Sequence, residues 1–339
     1  MSDQATEGEL ASAANATPQV NGAAGNSDSE EETPEQEVGR SLEGFLDDVP
    51  DDVEDLDLVH QRLNTLEGLD FTRFKQLQRL RFRQNLLARI GVFPHMPHLD
   101  ELDYYDNRLS KIENLEAVSA LTSLDLSFNK IRHIENIAHL TNLTDLFFVA
   151  NKISQIKGLE TLVNLKNLEL GANRIRVIEN LDTLVNLEQL WLGKNKITKL
   201  QGLSKLKNLK SLSVQSNRLT KIEGLSELSN LEELYLSHNA IETVEGLESN
   251  KNLKTLDISS NRITHLQGLE PLEHLEELWA NGNKFASFEE VEAQLKEKKE
   301  LTTVYLEGNP LETTSRATYR LKLKTLLPQL TQIDATLVR

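Results

Sequence analysis

The 339-residue sequence contains no cysteine. Disulfide bonds, thiolate metal ligands and a cysteine nucleophile are therefore excluded. No apolar run approaches the roughly 20 residues that a membrane-spanning helix needs, so we expect no membrane insertion. The acidic, polar N-terminus does not have the pattern of a secretory signal. We therefore expect the protein in the nucleus and cytoplasm.

Positive charge is outnumbered, because 37 lysine and arginine residues stand against 53 aspartate and glutamate residues and give a formal net charge of −16. An acidic chain is repelled by phosphate backbones and anionic lipids, so we expect neither nucleic acid nor a membrane as partner and favour a basic protein surface. Enzyme motifs are also missing: the sequence has no GxxxxGK[ST] phosphate loop, no HExxH zinc motif and no GxSxG elbow. The eight histidines are scattered and form no ligand cluster. We expect a non-catalytic protein without cofactor or metal.

The first 38 residues have no aromatic side chain and few large aliphatic ones. Such a segment cannot bury enough apolar area to offset its ordering entropy, so residues 1–38 are predicted to be a disordered acidic tail. The run SDSEEE places Ser27 and Ser29 each three residues before a glutamate, which is typical of acidophilic kinase sites. A plain solvated tail is the alternative, and both interpretations remain open.

From residue 56 the sequence repeats. The pattern Leu-x-x-Leu-x-Leu-x-x-Asn-x-Ile/Leu occurs in segments such as LKNLELGANRI, LEQLWLGKNKI and LEELYLSHNAI. Its asparagines are 22 residues apart from Asn85 to Asn283, and 26 residues separate Asn283 from Asn309. A constant period over this many units indicates a leucine-rich-repeat solenoid.

One repeat shows why the pattern folds this way. Leu190 and Leu192 point inward from a short strand, and Asn195 follows where the chain turns and can satisfy unpaired backbone groups. We expect an α/β leucine-rich-repeat solenoid with a curved parallel sheet on the concave side and short 3₁₀ or α segments on the convex side. The predicted domains are an N-terminal cap at 39–55, twelve repeats at 56–312 and a C-terminal cap at 313–339. Residues 287–300 are predicted to form a true α-helix.

Two further columns follow the asparagine. Glycine or asparagine recurs seven residues after it, which predicts a left-handed backbone position. A basic residue recurs directly after it, at Arg108, Lys130, Lys152, Arg174, Lys196, Arg218, Arg262 and Lys284. This column could bind an acidic partner or the acidic tail. We favour a solvated edge whose cations pair with nearby glutamates, namely Glu113, Glu135, Glu179 and Glu223.

The residue between the two inward strand positions defines the candidate site. Five of the twelve residues in this column are aromatic, whereas aromatic residues make up 5% of the chain. Contiguous exposed aromatic area marks protein interfaces, and nearby carboxylates would select a basic partner. The alternative is that the rings only stabilise the sheet by cross-strand pairing. The column contains Asp57, Arg81, Asp103, Asp125, Phe147, Glu169, Trp191, Ser213, Tyr235, Asp257, Trp279 and Tyr305.

The 22-residue unit with IEGL or IENL after the asparagine turn resembles the repeat of the leucine-rich-repeat regulatory subunit of type-1 protein serine/threonine phosphatase. The resemblance covers about residues 55–339, including the segment YRLKLKTLLPQLTQID. It implies a non-catalytic subunit that binds the phosphatase catalytic subunit through the concave face and controls its activity, maturation or location. It also implies a ternary complex with a small phosphatase inhibitor, and a link to mitotic control. Spliceosomal and dynein-associated proteins have similar repeats, so a structural scaffold of that kind is the alternative.

The resemblance also implies which residues bind. Carried over by position, it assigns partner contacts to Asp125, Phe147, Glu169, Trp191, Asp257, Glu277, Trp279 and Tyr305, and the aromatic column adds Tyr235. The tail lacks the short docking motif of a basic residue, valine or isoleucine, any residue, and phenylalanine or tryptophan. This absence is consistent with docking by the folded face. We expect a monomer before binding.

Overall fold

The computed structural model describes residues 42–338. The predicted tail at residues 1–38, with the candidate phosphorylation sites Ser27 and Ser29, lies outside the described residues. Within them, no helix is long and apolar enough to cross a bilayer.

One sheet contains all the strands, in chain order. Twelve three-residue strands pair in parallel, and each central residue is in register with the next, as Leu190 is with Leu212. A short hairpin ends the sheet, with β13 parallel to β12 and antiparallel to β14. The predicted solenoid of parallel strands is therefore confirmed. The strands are β1 Asp55–Asp57, β2 Arg79–Arg81, β3 Glu101–Asp103, β4 Ser123–Asp125, β5 Asp145–Phe147, β6 Asn167–Glu169, β7 Gln189–Trp191, β8 Ser211–Ser213, β9 Glu233–Tyr235, β10 Thr255–Asp257, β11 Glu277–Trp279, β12 Thr303–Tyr305, β13 Gln332–Ile333 and β14 Thr336–Leu337.

The core lies between the sheet and the returning chain. Leu190 and Leu192 are both fully buried, and Ile197 and Leu206 close the same turn from the other side. No repeat can enclose its own leucines, so neighbouring repeats complete the core. Each buried aliphatic side chain contributes roughly 1.5–3 kcal/mol before the entropic cost of ordering.

The asparagines of the repeat pattern, which we call the ladder asparagines, join each turn of the solenoid to the turn before it. The Asn195 Oδ1 accepts a hydrogen bond from the Ile175 N–H at 3.0 Å, and its Nδ2 donates to the carbonyl oxygens of Leu170 at 2.9 Å and Leu192 at 3.0 Å. The side chain is buried, and the same bonds recur along the stack. The structural role predicted for asparagine is confirmed.

The return side is mostly turns. Isolated bonds from residue i to residue i−3, such as Leu187 N–H to Leu184 O at 3.0 Å, give it local 3₁₀ character. The helix predicted over 287–300 is shorter in the structure: α1 spans Phe288–Leu295 and begins where the Ser287 hydroxyl accepts a hydrogen bond from the Glu290 N–H. Two more helices follow, α2 at Pro310–Thr313 and α3 at Tyr319–Leu326.

The N-terminal cap is held by one arginine. Residues 42–53 form successive turns, which bury Leu42 and Leu46. The Arg73 guanidinium donates to the Val49 carbonyl oxygen at 2.7 Å and pairs with the Asp51 carboxylate at 2.9 Å. The cap thereby covers the open end of the repeat core.

A left-handed turn residue recurs in nine repeats, as the glycine and asparagine column predicts, at positions 68, 114, 136, 158, 180, 202, 224, 246 and 268. Gly202 has φ of +67°, and a Cβ there would lie 2.6 Å from the Ile178 carbonyl oxygen. Asn180 holds the equivalent position with φ of 58°, and its Nδ2 donates to the Ile156 carbonyl oxygen at 2.7 Å. The position is therefore occupied either by glycine, which has no side chain, or by asparagine, whose amide donates to the carbonyl oxygen of the preceding repeat.

Gly202→Ala is expected to lower the free energy of unfolding by about 1–3 kcal/mol, because the methyl group meets a carbonyl oxygen in a left-handed turn. Gly202→Asn should cost less, because its amide donates to that oxygen as in Asn180. Urea unfolding measures both changes. Gly171→Ala is the control, since a Cβ there meets nothing closer than 3.5 Å. An alanine cost at Gly202 equal to that at Gly171 would contradict this account.

Candidate functional site: the exposed sheet face

The first and third residues of every strand from β1 to β12 form what we call the exposed sheet face. They alternate with the buried central residue, because successive side chains of a strand point to opposite faces. Trp191, at the third position of β7, is partly exposed between the buried Leu190 and Leu192. The predicted site column therefore lies on one face of one sheet.

Four of the five aromatic residues in this column form a continuous row, the aromatic ladder of Trp191, Tyr235, Trp279 and Tyr305. The Trp191 and Tyr235 ring centroids are 6.2 Å apart and their planes differ by 24°. The Tyr235–Trp279 and Trp279–Tyr305 separations are 6.2 Å and 6.0 Å. These distances are within the range of favourable ring pairing. The ladder extends over strands β7 to β12.

Small residues alternate with the rings and allow the ladder to form. Trp191 and Tyr235 are two strands apart, which is about 9.6 Å at the usual strand spacing, so their rings must lean toward each other over Ser213. Asp257 lies in the same way between Tyr235 and Trp279. The side chains of Ser213 and Asp257 are only 2% and 4% exposed. This alternation of large and small residues is present in the sequence, but contact between the rings was not predicted from it.

Asp257 has a largely internal role in the free protein. Its Oδ1 accepts hydrogen bonds from the Ser259 N–H at 3.0 Å and the Ser259 hydroxyl at 2.6 Å. Of the residues assigned to partner binding, it therefore presents little surface of its own. In the sheet it lies in register between Tyr235 and Trp279.

Polar neighbours orient the rings. The Trp279 Nε1–H donates to the Glu277 Oε2 at 3.0 Å, which fixes the indole. The Tyr305 hydroxyl accepts from the Gln332 Nε2 at 2.7 Å, so the C-terminal hairpin holds the last ring. Burial and the neighbouring Glu233 carboxylate raise the pKa of Tyr235, so its hydroxyl stays protonated. A partly rigid row of rings loses little conformational entropy when a partner covers it.

Carboxylates dominate the other half of the face. Asp103, Asp125 and Glu169 form what we call the acidic cluster, with Phe147 on the strand between Asp125 and Glu169. Burial raises the pKa of Asp103 to about 6, assisted by the Asp125 charge. Burial also raises the pKa values of Asp125 and Glu169, and for Glu169 the Asp125 charge adds to the effect. An incoming cation would relieve these under-solvated carboxylates.

An aromatic pair lies at the rim beside the acidic cluster. The rings of Tyr105 and Phe128 are 4.8 Å apart, and Phe128 is 44% exposed with φ of 55°. The Arg83 guanidinium lies 4.4 Å from the Tyr105 ring centroid, and its Nε is 3.2 Å from the Asp103 Oδ2. Arg83 lies one repeat before Tyr105 and was not singled out from the sequence. At this rim a guanidinium group therefore lies against an aromatic ring and beside a carboxylate.

The raised pKa of Asp103 predicts a pH dependence. Because the folded protein holds this proton more tightly than the unfolded chain, the associated stability is present near pH 4 and is lost as the pH rises through about 6. Asp103→Asn removes the titration, so the variant should lose less unfolding free energy than the wild type between about pH 4 and pH 7. Urea unfolding at the two pH values measures this. A carboxyl NMR titration placing the Asp103 pKa at its ordinary value would overturn it.

Residues 42–338 contain no group of three or more histidine, aspartate or glutamate side chains that could hold a metal ion. The exposed sheet face presents a row of oriented aromatic rings at one end and carboxylates at the other. Such a surface is chemically complementary to a protein surface that is basic and partly apolar.

Known proteins resemble this chain in its repeats. The family profile described as Leucine Rich repeats (2 copies) matches residues 163–205, 185–227, 207–249 and 229–273, and a single-repeat profile matches 120–132. Protein phosphatase 1 regulatory subunit SDS22 of Saccharomyces cerevisiae is 52% identical over 93 residues, which is 26% of this chain and 28% of that protein. The same subunit of Schizosaccharomyces pombe is 55% identical over 49 residues, 14% of this chain and 15% of that protein. The matched segments therefore span less than a third of either relative.

A solved structure supports the fold over a longer range. A leucine-rich-repeat protein of Leptospira interrogans superposes with a TM-score of 0.62 at 27% identity, covering 77% of this chain and 73% of that one. The parallel sheet, the ladder asparagines and these similarities all indicate the same fold. They identify a leucine-rich-repeat solenoid whose repeats are similar, over part of the chain, to those of the protein phosphatase 1 regulatory subunit SDS22.

Proposed function

We propose that this protein is a non-catalytic regulatory subunit that binds the catalytic subunit of type-1 protein phosphatase through its exposed sheet face. The observation that carries the proposal is the aromatic ladder of Trp191, Tyr235, Trp279 and Tyr305, supported by the similarity to SDS22. Binding there would control the activity, maturation or location of the phosphatase, in the nucleus and cytoplasm. A small phosphatase inhibitor would join in a ternary complex.

The two halves of the face have different tasks in this proposal. The aromatic ladder supplies the apolar anchors, because large rings near the centre of an interface account for most of its binding energy. The acidic cluster and Glu277 supply charge complementarity, which steers a basic surface toward the face and fixes its orientation. Phe147 adds a ring within the acidic half. Asp257 acts indirectly, through the rings that cover it.

Capture of purified phosphatase catalytic subunit by the immobilised full-length chain tests the proposal. Wild type should retain the catalytic subunit, and the double variant Trp191→Ala with Trp279→Ala should lose it. The matched control is Val163→Ala with Val185→Ala, because these apolar side chains are 43% and 46% exposed but lie outside the sheet. Far-ultraviolet circular dichroism and urea unfolding verify that both variants are folded.

Undiminished capture by the folded tryptophan variant would overturn the assignment of the site. Failure of the wild-type chain to bind the catalytic subunit would overturn the function itself. In that case, identifying proteins that co-purify from cells would test the alternative of a scaffold in a spliceosomal or dynein-associated complex.

A further inference from the structure

A row of cations lies on the flank of a protein whose net charge is −16. In six consecutive repeats the residue directly after the ladder asparagine is lysine or arginine, and each of the six is exposed or partly exposed. We call this row the basic stripe. Ala240 interrupts the pattern in the next repeat, before Arg262 and Lys284 resume it. The basic stripe consists of Arg108, Lys130, Lys152, Arg174, Lys196 and Arg218.

The basic stripe has no ion-pair partner among residues 42–338. None of its members lies within 4.0 Å of an aspartate or glutamate oxygen there. Glu113 pairs instead with Arg89 at 2.8 Å, and Glu223 pairs with Lys199 at 3.8 Å. Both of these cations lie four residues after a ladder asparagine, in the repeat before the glutamate, so they belong to a different row. The expected pairing of the stripe with nearby glutamates is therefore wrong.

The flank around the stripe is basic as well. In the six residues that begin at each stripe position there are two lysine or arginine side chains and at most one glutamate or aspartate. Adjacent repeats are about 4.8 Å apart, which is less than the screening length of about 8 Å at physiological salt. The stripe cations therefore repel one another in the free protein, and an anionic ligand that follows the row would relieve this repulsion.

Carboxylates border the stripe on both sides. Asp103 lies five residues before Arg108, on the side of the exposed sheet face, and Glu113 lies five residues after it; the next repeat has the same arrangement. Five residues of chain span at most about 17 Å, so the basic band is narrow. A nucleic-acid duplex, whose major groove alone is about 12 Å wide, or a bilayer surface would bring phosphates against these carboxylates. A single extended polypeptide needs only about 5 Å, the spacing of neighbouring strands, and can follow the cations alone.

The length and the apolar surroundings of the stripe also fit a polypeptide. Its six cations cover five repeat steps, about 24 Å, which matches about seven residues of extended chain. Phe128, two residues before Lys130, is 44% exposed, and Val177, three residues after Arg174, is 41% exposed. An acidic peptide segment has side chains that can cover such apolar groups, whereas a chain of phosphates has none.

We propose that the basic stripe docks an acidic segment of another protein, about seven residues long or longer, in an extended conformation along the flank of the solenoid. The unpaired row of cations, its narrow carboxylate borders and its length carry this inference. It does not depend on the proposed phosphatase partner, because no member of the stripe belongs to the exposed sheet face. The two surfaces can therefore be occupied at the same time.

Fluorescence anisotropy of a labelled ten-residue glutamate peptide, titrated with the full-length chain at low salt, tests the proposal. The peptide should bind the wild type and should be released at about 1 M salt, where the screening length falls to about 3 Å. It should also bind more tightly than a single strand of ten thymidine nucleotides. Replacing three stripe cations should weaken peptide binding about tenfold or more; the changes are Lys152→Gln, Arg174→Gln and Lys196→Gln.

Three lysines outside the stripe provide the matched control. They are exposed and form no ion pair within the described part of the chain, so their replacement by glutamine removes the same charge and should change the affinity for the peptide by less than about twofold. Far-ultraviolet circular dichroism and urea unfolding verify that both triple variants are folded. The control lysines are Lys166, Lys205 and Lys251.

Three results would overturn the proposal: no peptide binding by the wild type at low salt, equal binding by the two triple variants, or tighter binding of the oligonucleotide, which would make the stripe a nucleic-acid site. Self-association of the wild type that the stripe variant abolishes would also overturn it, because the stripe would then join two copies of this chain. Trp191→Ala combined with Trp279→Ala should leave peptide binding unchanged, so this proposal and the phosphatase proposal fail independently.

Discussion

Asn195→Leu should lower the free energy of unfolding by about 3–5 kcal/mol, which is among the larger effects of a single substitution. Leucine has nearly the shape of asparagine, so packing is preserved while the hydrogen bonds are lost. The Ile175 N–H would then be buried without an acceptor. The carbonyl oxygens of Leu170 and Leu192 would each lose one of two donors, because Asn173 and Asn217 still donate to them, and each lost bond contributes about 0.5–1.5 kcal/mol. Each unsatisfied buried group costs about 1–3 kcal/mol.

A second asparagine of the same repeat controls for residue type. Asn186 is exposed, and its Nδ2 donates only to the Val163 carbonyl oxygen at 2.9 Å, which water can replace. Asn186→Leu should therefore change stability by less than about 1 kcal/mol. Urea unfolding of both variants decides the matter. Similar losses of stability at positions 186 and 195 would show that the contribution of Asn195 does not come from its hydrogen bonds to buried backbone groups.

Trp279→Ala should weaken binding of the phosphatase catalytic subunit by about 30-fold or more, corresponding to the roughly 2 kcal/mol of an interface hot spot. Trp279 is the pivotal ring of the aromatic ladder, because it contacts both Tyr235 and Tyr305 and is oriented by Glu277. Its removal deletes one anchor and leaves the rings on both sides without support. Trp279→Phe keeps a ring but loses the bond to Glu277, so a smaller loss is expected.

Titration calorimetry or surface plasmon resonance with purified catalytic subunit measures these affinities. Val177→Ala, at a 41% exposed position outside the sheet, should leave the affinity unchanged. The losses of binding free energy caused by Tyr235→Ala and Trp279→Ala should not be additive in the double variant. Residues in contact are coupled by about 0.5 kcal/mol or more in double-mutant cycles. Strict additivity, or an equal loss for alanine and phenylalanine at position 279, would contradict a ladder that acts as a unit.

Much of the fold could be predicted because one repeat specifies its own geometry. The inward direction of Leu190 and Leu192 follows from strand alternation, and the role of Asn195 from the unpaired backbone of a turn. The left-handed conformation of Gly202 follows from the recurrence of glycine and asparagine at one position. Each of these is a local property that the 22-residue period multiplies along the stack.

The site could be predicted only as a column. Strand alternation places Trp191, Tyr235 and Trp279 outward, but it does not say whether their rings stand apart or meet. That depends on Ser213 and Asp257, whose small side chains leave room for the rings to lean across a whole repeat.

The sequence by itself determined the repeat, the parallel sheet and the face on which each side chain lies, because these depend on backbone periodicity. Only the tertiary structure decided which outward side chains touch. It joined four rings into one surface and placed the Arg83 guanidinium against the Tyr105 ring and the Asp103 carboxylate. It also paired Glu113 with Arg89 and Glu223 with Lys199, so the expected pairing of these glutamates with the basic residues that follow the repeat asparagines was wrong. The physical reason is that neighbouring repeats are about 5 Å apart, which is less than the reach of these side chains, so rotamers and neighbours select each contact.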